Sequence, residues 1–174
     1  MDRKFNILAT TSRGYEGLAR SELRFLFERI GDAAPTIERT GVSGLVSVRT
    51  DMDAVDAISR LRTLLHQTPY EFRFTLRIIP IEKVVCTGLG EIQQAVVELA
   101  SKIGDNETFR VTVEKRFTAM HSKDIIEKVA ANIKRRVNLT KPDKVVLIEI
   151  LGGVTGVSVI EPQEILSIMK EKLL

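Results

Sequence analysis

RRVNLTKPDKVVLIEI, residues 135–150, decides how the second half of the chain folds. It opens with two arginines, sets Lys141 and Lys144 around Pro142-Asp143, and then turns apolar through Val145, Val146, Leu147 and Ile148. The run from Lys144 to Leu151 is nearly continuous in apolar residues and lacks the alternation of a half-exposed strand. Such a run suits a central strand covered on both faces. Sheets of that kind are flanked by helices, so the segment predicts an α/β unit. It also sets a cluster of positive charge beside the most buried strand of that unit.

The neighbouring segments extend the pattern. Residues 123–137 place Ile125, Ile126, Val129, Ala130, Ile133 and Val137 on one helical face. Ser122 is a good N-cap and Asp124 suits the first turn. Lys134, Arg135 and Arg136 suit the last turn through the helix dipole. Before this helix, Thr108–Val113 alternates Phe109, Val111 and Val113 against Arg110 and Thr112, the signature of a strand. Gly88–Ile103 carries Ile92, Val96, Leu99 and Ala100 on one helical face. Past residue 151, Gly152-Gly153 turns the chain into a last strand, Val154–Ile160. Pro162 then suits the first turn of a terminal helix through Ile165, Leu166, Ile168 and Met169. The second half reads β-α-β-α-β-β-α, a mixed sheet flanked by helices.

The first half reads differently. FNILATT (5–11) is a strand, and Gly14–Ile30 is a helix with Leu18, Leu23, Leu26, Phe27 and Ile30 at helical spacing and Gly31 as its C-cap. TIERT (36–40) and GLVSVRT (44–50) are short strands around a turn at Gly41–Gly44. Asp51 or Asp53 caps a second helix, striped by Val55, Ile58, Leu61, Leu64 and Leu65. FRFTLRIIPI (72–81) alternates as a strand, and one long strand around residues 72–82 joins the halves. The order β-α-β-β-α-β is the split βαβ, or ferredoxin-like, arrangement.

Composition leaves the partner open but locates the charge. The 174 residues carry a net charge of only +3, yet Arg110–Lys144 holds ten Lys/Arg against four Asp/Glu. Local excess of this kind marks nucleic-acid contact. Cys86 is the single cysteine, so no disulfide forms within the chain, a cytoplasmic setting fits, and a buried thiol at a strand end is expected. Arg3 and Lys4 precede an apolar stretch too short for a signal core or a membrane span.

No catalytic constellation stands out. One cysteine and two distant histidines, His66 and His121, exclude a zinc cluster of the usual spacing. TGLGEIQ (87–93) has Gln93 where a dinucleotide fingerprint needs glycine, and GGVTG (152–156) lacks the lysine of a phosphate loop. No cofactor and no metal are expected. What remains is basic. Lys128 and Arg135 lie on one line of the 123–137 helix with Asn132, and Lys123 and Lys134 lie near another. A solvated face is the simpler account of such lines. Lys115-Arg116-Phe117 ends a strand and His121-Ser122-Lys123 opens the helix, so both sets are expected close together, where helix N–H groups, a hydroxyl and cations suit a phosphate. Simple capping is the competing account of His121-Ser122.

TFRVTVEKRFTAMHSKDIIEKVAANI (108–133), VNLTKPDKVVLIEI (137–150) and GVSVI (156–160) together resemble the THUMP domain. The resemblance rests on Lys115-Arg116, His121-Ser122, Val137-Asn138-Leu139, Pro142-Asp143 and Val146–Ile150, and covers roughly 75–165. Residues 1–74 look like the ferredoxin-like domain that precedes it, with 75–174 as the THUMP domain. The resemblance implies an RNA-binding module of the kind found in 4-thiouridine synthetases and tRNA methyltransferases. No methyltransferase cofactor motif or pyrophosphatase loop follows, which is similar to the standalone subgroup that assists tRNA cytidine acetylation. A non-catalytic adaptor is then expected, holding the tRNA acceptor stem and 3′ CCA end for an acetyltransferase. RFTAMHS departs from the family pattern, which is more basic or Asn-rich there. The implied RNA-binding residues are Arg77, Arg110, Lys115, Arg116, His121, Ser122, Lys123, Lys128, Lys134, Arg135, Arg136 and Lys141. The alternatives are a protein–protein assembly or regulatory module whose charge serves solubility, and an enzyme whose site the sequence does not reveal.

Overall fold

A computed structural model of the chain describes residues 4–174, so Arg3 lies outside the described residues. The chain forms two compact units. One comprises the residues up to Ile81 together with Gln163–Leu174, and the other comprises Glu82–Pro162.

In the first unit, β1 (Ile7–Thr11), α1 (Glu16–Ile30), β2 (Thr36–Arg39), β3 (Leu45–Arg49), α2 (Ala54–Gln67) and β4 (Thr75–Pro80) follow in the expected order. Every pairing is antiparallel, with β1 between β4 and β3, and β2 outside β3. That order is ferredoxin-like. Ala19, Leu23, Leu26 and Phe27 form the buried stripe of α1, and the last three share a core with Ile7, Val46 and Val48 of the sheet and Ile58, Leu61 and Leu65 of α2. Gly31 ends α1 at φ 109°, a conformation glycine adopts without strain. There the N–H groups of Gly31 and Asp32 donate to the carbonyls of Glu28 and Phe27. Of the two candidate caps for α2, Asp53 is the one used, accepting from the Asp56 N–H at 3.0 Å.

The second unit is built from β5 (Lys83–Cys86), α3 (Leu89–Leu99), β6 (Thr108–Arg116), α4 (Ser122–Ala130), β7 (Arg136–Val137), β8 (Lys144–Leu151) and β9 (Val154–Ile160). The sheet order is β5-β9-β8-β6-β7. Both contacts of β6 are parallel, and those of β9 are antiparallel. This is the expected mixed sheet. β8 is buried from Val145 through Leu151, as its unbroken apolar run requires. Val146, Ile148 and Ile150 share a core with Ile92 and Val96 of α3 and Ile125 and Val129 of α4.

Several boundaries differ from the sequence reading. The expected long strand is two, because the chain changes sheets at 81/82: the Ile81 N–H donates to Asn6 O and the Glu82 N–H to Val157 O. The terminal segment is not one helix. After a 3-10 turn at Pro162–Glu164, β10 (Leu166–Ser167) pairs with β4, and only α5 (Ile168–Lys172) is helical. Leu166 and Ile168 are buried two apart, a strand period, and Arg62 holds the approach by donating to the carbonyls of Gln163 and Ile165. Residues 75–81 and 163–174 therefore lie with the first unit, so the compact units are cut differently from 1–74 and 75–174. Cys86, expected buried, is exposed, because it ends an edge strand.

Candidate nucleic-acid interface

The connection β6–α4–β7–β8 decides where each basic residue goes. β6 and β8 run parallel, so α4 carries the chain back toward the start of β6. Nine residues of β6 span about 26 Å at ~3.3 Å per step. Residues 115–123 therefore lie at one end of the sheet, and 134–141 lie at the other, where Arg136 pairs with Thr108.

At the strand end, alternation separates two neighbours that sequence had placed together. Lys115 follows Phe109, Val111 and Val113 onto the helix side of β6, and its Nζ donates to the Met120 carbonyl at 3.0 Å. Arg116 falls on the other face, where its Nη1 donates to Glu149 Oε2 at 2.5 Å. Glu149 is fully buried and the Arg116 side chain is 22% exposed, so this guanidinium serves an internal ion pair and not the surface. Phe117 follows, 76% exposed. His121, not Ser122, is the N-cap of α4, and no side-chain cap hydrogen bond is made there. His121 is exposed and Ser122 half-buried as the first helical residue.

The exposed face of α4 mixes signs. Lys123 lies 3.9 Å from Glu127 with 84% of its side chain exposed, a spacing of little energetic weight. Lys128 is exposed beside Asp124 and Glu127 in the same short helix. The helix stops at Ala130 and does not reach 137. Asn132 and Ile133 donate to Val129 and Ala130 in tighter i→i+3 bonds, and the chain then turns to deliver Arg136 and Val137 to the sheet edge.

At the far end, the residues divide again. Arg135 Nε donates to the carbonyls of Ile103 and Gly104, and its Nη2 lies 2.9 Å from Asp105. Arg110 Nη1 donates to the Leu139 carbonyl at 3.0 Å. Both arginines clamp loops. Asn138 accepts the N–H groups of Thr140 and Lys141, an Asx-type turn. Asp143 accepts from the N–H and hydroxyl of Thr108, which hold its carboxyl below the usual carboxylate range. Glu107 is lowered too, first by Lys144 Nζ and then by the Gly104 N–H. With the VNLTKPD loop thus pinned, Lys134, Arg136 and Lys141 are exposed and enter no ion pair among the described residues.

Of the twelve expected RNA-binding residues, Arg77 sits on β4 of the first unit, paired with Thr10 and Ser167. Arg110, Arg116 and Arg135 hold the fold. Lys115 braces its own loop. Lys123, Lys128, Lys134, Arg136 and Lys141 remain as exposed cations, and of these only Lys123 shares the helix start with His121. His66 ends α2 in the first unit, 2.9 Å from Glu171. Among the described residues no group of His, Cys, Asp and Glu is arranged to hold a metal ion. Sequence reading missed Glu149, although a lone carboxylate inside VVLIEIL was a visible sign of a buried cation partner. A groove of about 520 Å³ between β5 and α3, lined by Val84, Val85, Ala95 and the Lys83–Glu98 pair, lies apart from these cations in the sheet order.

Residues 86–160 match the THUMP domain family, inside the second unit. No curated protein matches the chain. Among solved structures, PH1313 from Pyrococcus horikoshii Ot3 is similar at TM-score 0.63 and 18% identity, over 90% of this chain and 55% of that one. TrmN from Thermus thermophilus is similar at TM-score 0.60 and 16% identity, over 88% of this chain and 44% of that one. A 4-thiouridine synthetase solved with RNA and ATP is similar at TM-score 0.57 and 15% identity, over 90% and 42%. The chain thus spans about half the length of these proteins, or less, and at such identities the likeness is one of fold.

Proposed function

We propose that this chain, whose residues 86–160 form a THUMP domain, is a tRNA-binding accessory protein that presents tRNA to a separate modifying enzyme. The THUMP domain is associated with RNA binding and tRNA modification, and the family match is the observation that carries the reading. The exposed cations give it a physical basis. Lys123, Lys128, Lys134, Arg136 and Lys141 are exposed, and in this reading they neutralise phosphates and release counterions, a term that weakens with salt. They track α4 and the loop after it, a path suited to a backbone and not to one base edge. The acceptor stem and 3′ CCA end are the proposed target, and a cytidine acetyltransferase is the proposed partner. In this reading the chain positions RNA and performs no chemistry itself.

Two experiments test it. Titration of fluorescent tRNA, intact or trimmed of its 3′ end, should show weaker binding of the trimmed form; equal affinities would exclude capture of that end. Deleting the gene should lower acetylated cytidine in bulk tRNA, and an unchanged nucleoside profile would exclude the acetyltransferase as partner.

A further inference from the structure

Phe117 is the one residue other than glycine, among the described residues, with a positive φ, at 56°. A bulky L residue is crowded in that conformation, and it persists only where surrounding structure imposes it. Burial does not explain it, since the residue is 76% exposed. The loop around it is fixed from several sides. The Gly152 N–H donates to the Arg116 carbonyl at 2.8 Å, and Phe117 Cβ lies 3.8 Å from the point where a side chain on Gly152 would begin. Beyond the ring, the Met120 N–H donates to Thr118 Oγ1 at 3.2 Å and the Met120 carbonyl accepts from Lys115 Nζ at 3.0 Å. The ring is therefore held out on a braced turn at the strand end.

Its surroundings suit one kind of occupant. From Lys115 to Lys123 no other large apolar side chain is exposed, and the segment carries His121 and Lys123 in solvent. Protein docking favours apolar anchors clustered in well-packed patches. A lone exposed ring on a segment that also carries Lys115 and Lys123 matches an unpaired base, whose face stacks on the ring while a neighbouring phosphate meets a lysine. We infer that Phe117 is a stacking platform for an unpaired base of the bound RNA, with an adjacent phosphate taken by Lys123. This rests on the RNA-binding reading above and adds the residue that distinguishes single-stranded from paired RNA.

The test uses the full chain and two RNA hairpins with one stem, one blunt and one carrying a four-nucleotide 3′ overhang. Phe117→Gly removes the ring and suits the positive φ, so it should melt no lower than the wild type; Phe117→Asn, which also tolerates that φ, is the second ringless variant. Both should bind the overhang hairpin about tenfold more weakly and the blunt one unchanged. The slope of log affinity against log salt should not move, because the ring displaces no counterion. Phe117→Trp should bind the overhang as well as the wild type. Ringless variants that bind the overhang normally, or a tryptophan variant as weak as they are, would overturn stacking while leaving RNA binding intact. Wild-type protein that binds neither hairpin would remove the RNA reading and the stacking role with it.

Discussion

At the strand end of β6, Arg116 turns inward to Glu149 and Lys115 turns back to the Met120 carbonyl, whereas at the opposite end Lys134, Arg136 and Lys141 stand in solvent. The two ends look alike in sequence, each a short run of Lys and Arg beside a helix terminus. The difference arises from what each run is attached to. A run inside a strand must send alternate residues to opposite faces, so at least one cation turns from the helix side. The far run spans a turn and the two-residue β7, and there Arg135 alone turns inward, to the Ile103 and Gly104 carbonyls. At each end, then, part of the run is taken up by the fold, and a count of Lys and Arg overstates the charge left for a ligand.

The comparison can be broken most directly at Arg116. Arg116→Ala leaves a buried carboxylate without this partner and should destabilise the protein by about 3 kcal/mol in chemical unfolding. An unchanged midpoint with weakened RNA binding would reverse the assignment of the two ends. The converse is the triple variant K134A/R136A/K141A, which should keep the wild-type unfolding midpoint. Its salt slope for tRNA should fall by about 3 if each residue meets a phosphate. A slope equal to that of the wild type would place RNA elsewhere. Arg135→Ala sharpens the contrast within the far end itself. This arginine bonds Ile103 and Gly104 and pairs with Asp105, so its loss should cost about 1–2 kcal/mol of stability while Lys134→Ala beside it costs almost none. The smallest effect is acid sensitivity of the pinned loop. The Asp143 carboxyl is lowered by Thr108, so its contribution is present in full above the ordinary value of 3.8 and is lost as pH falls from there through the lowered value. Asp143→Asn should make acid unfolding followed by circular dichroism shallower in that range.

The elements with a strong period were legible from sequence. The run at 144–151 became β8, buried from Val145 onward, the alternation at 108–113 became β6, and Leu23, Leu26 and Phe27 lie in the buried stripe of α1. The failures came where tertiary pairing overrode local pattern. Ile133 continued a helical stripe past Ala130, yet the chain had to leave the helix to place Arg136 against Thr108. Leu166 and Ile168 fitted a helix as well as a strand, and pairing with β4 decided the first of them. In the candidate interface, the types of residue were readable and their duties were not. Arg110, Arg116 and Arg135 are engaged by a carbonyl, a carboxylate and a set of carbonyls far away in the chain. Phe117 carried no sign of its backbone geometry, because phenylalanine is among the last residues that composition would assign a positive φ.

The pairing of β10 with β4 means that residues 82–162 are spliced into the first unit as a single excursion. A ribosome adding 5–20 residues per second needs on the order of 4–16 s to cross that stretch, so the outermost strand of the first sheet arrives only after the whole inserted unit has emerged. Until then Ile78 and Arg77 present a bare edge, and the nascent chain must reach the end of its second fold before it can finish its first.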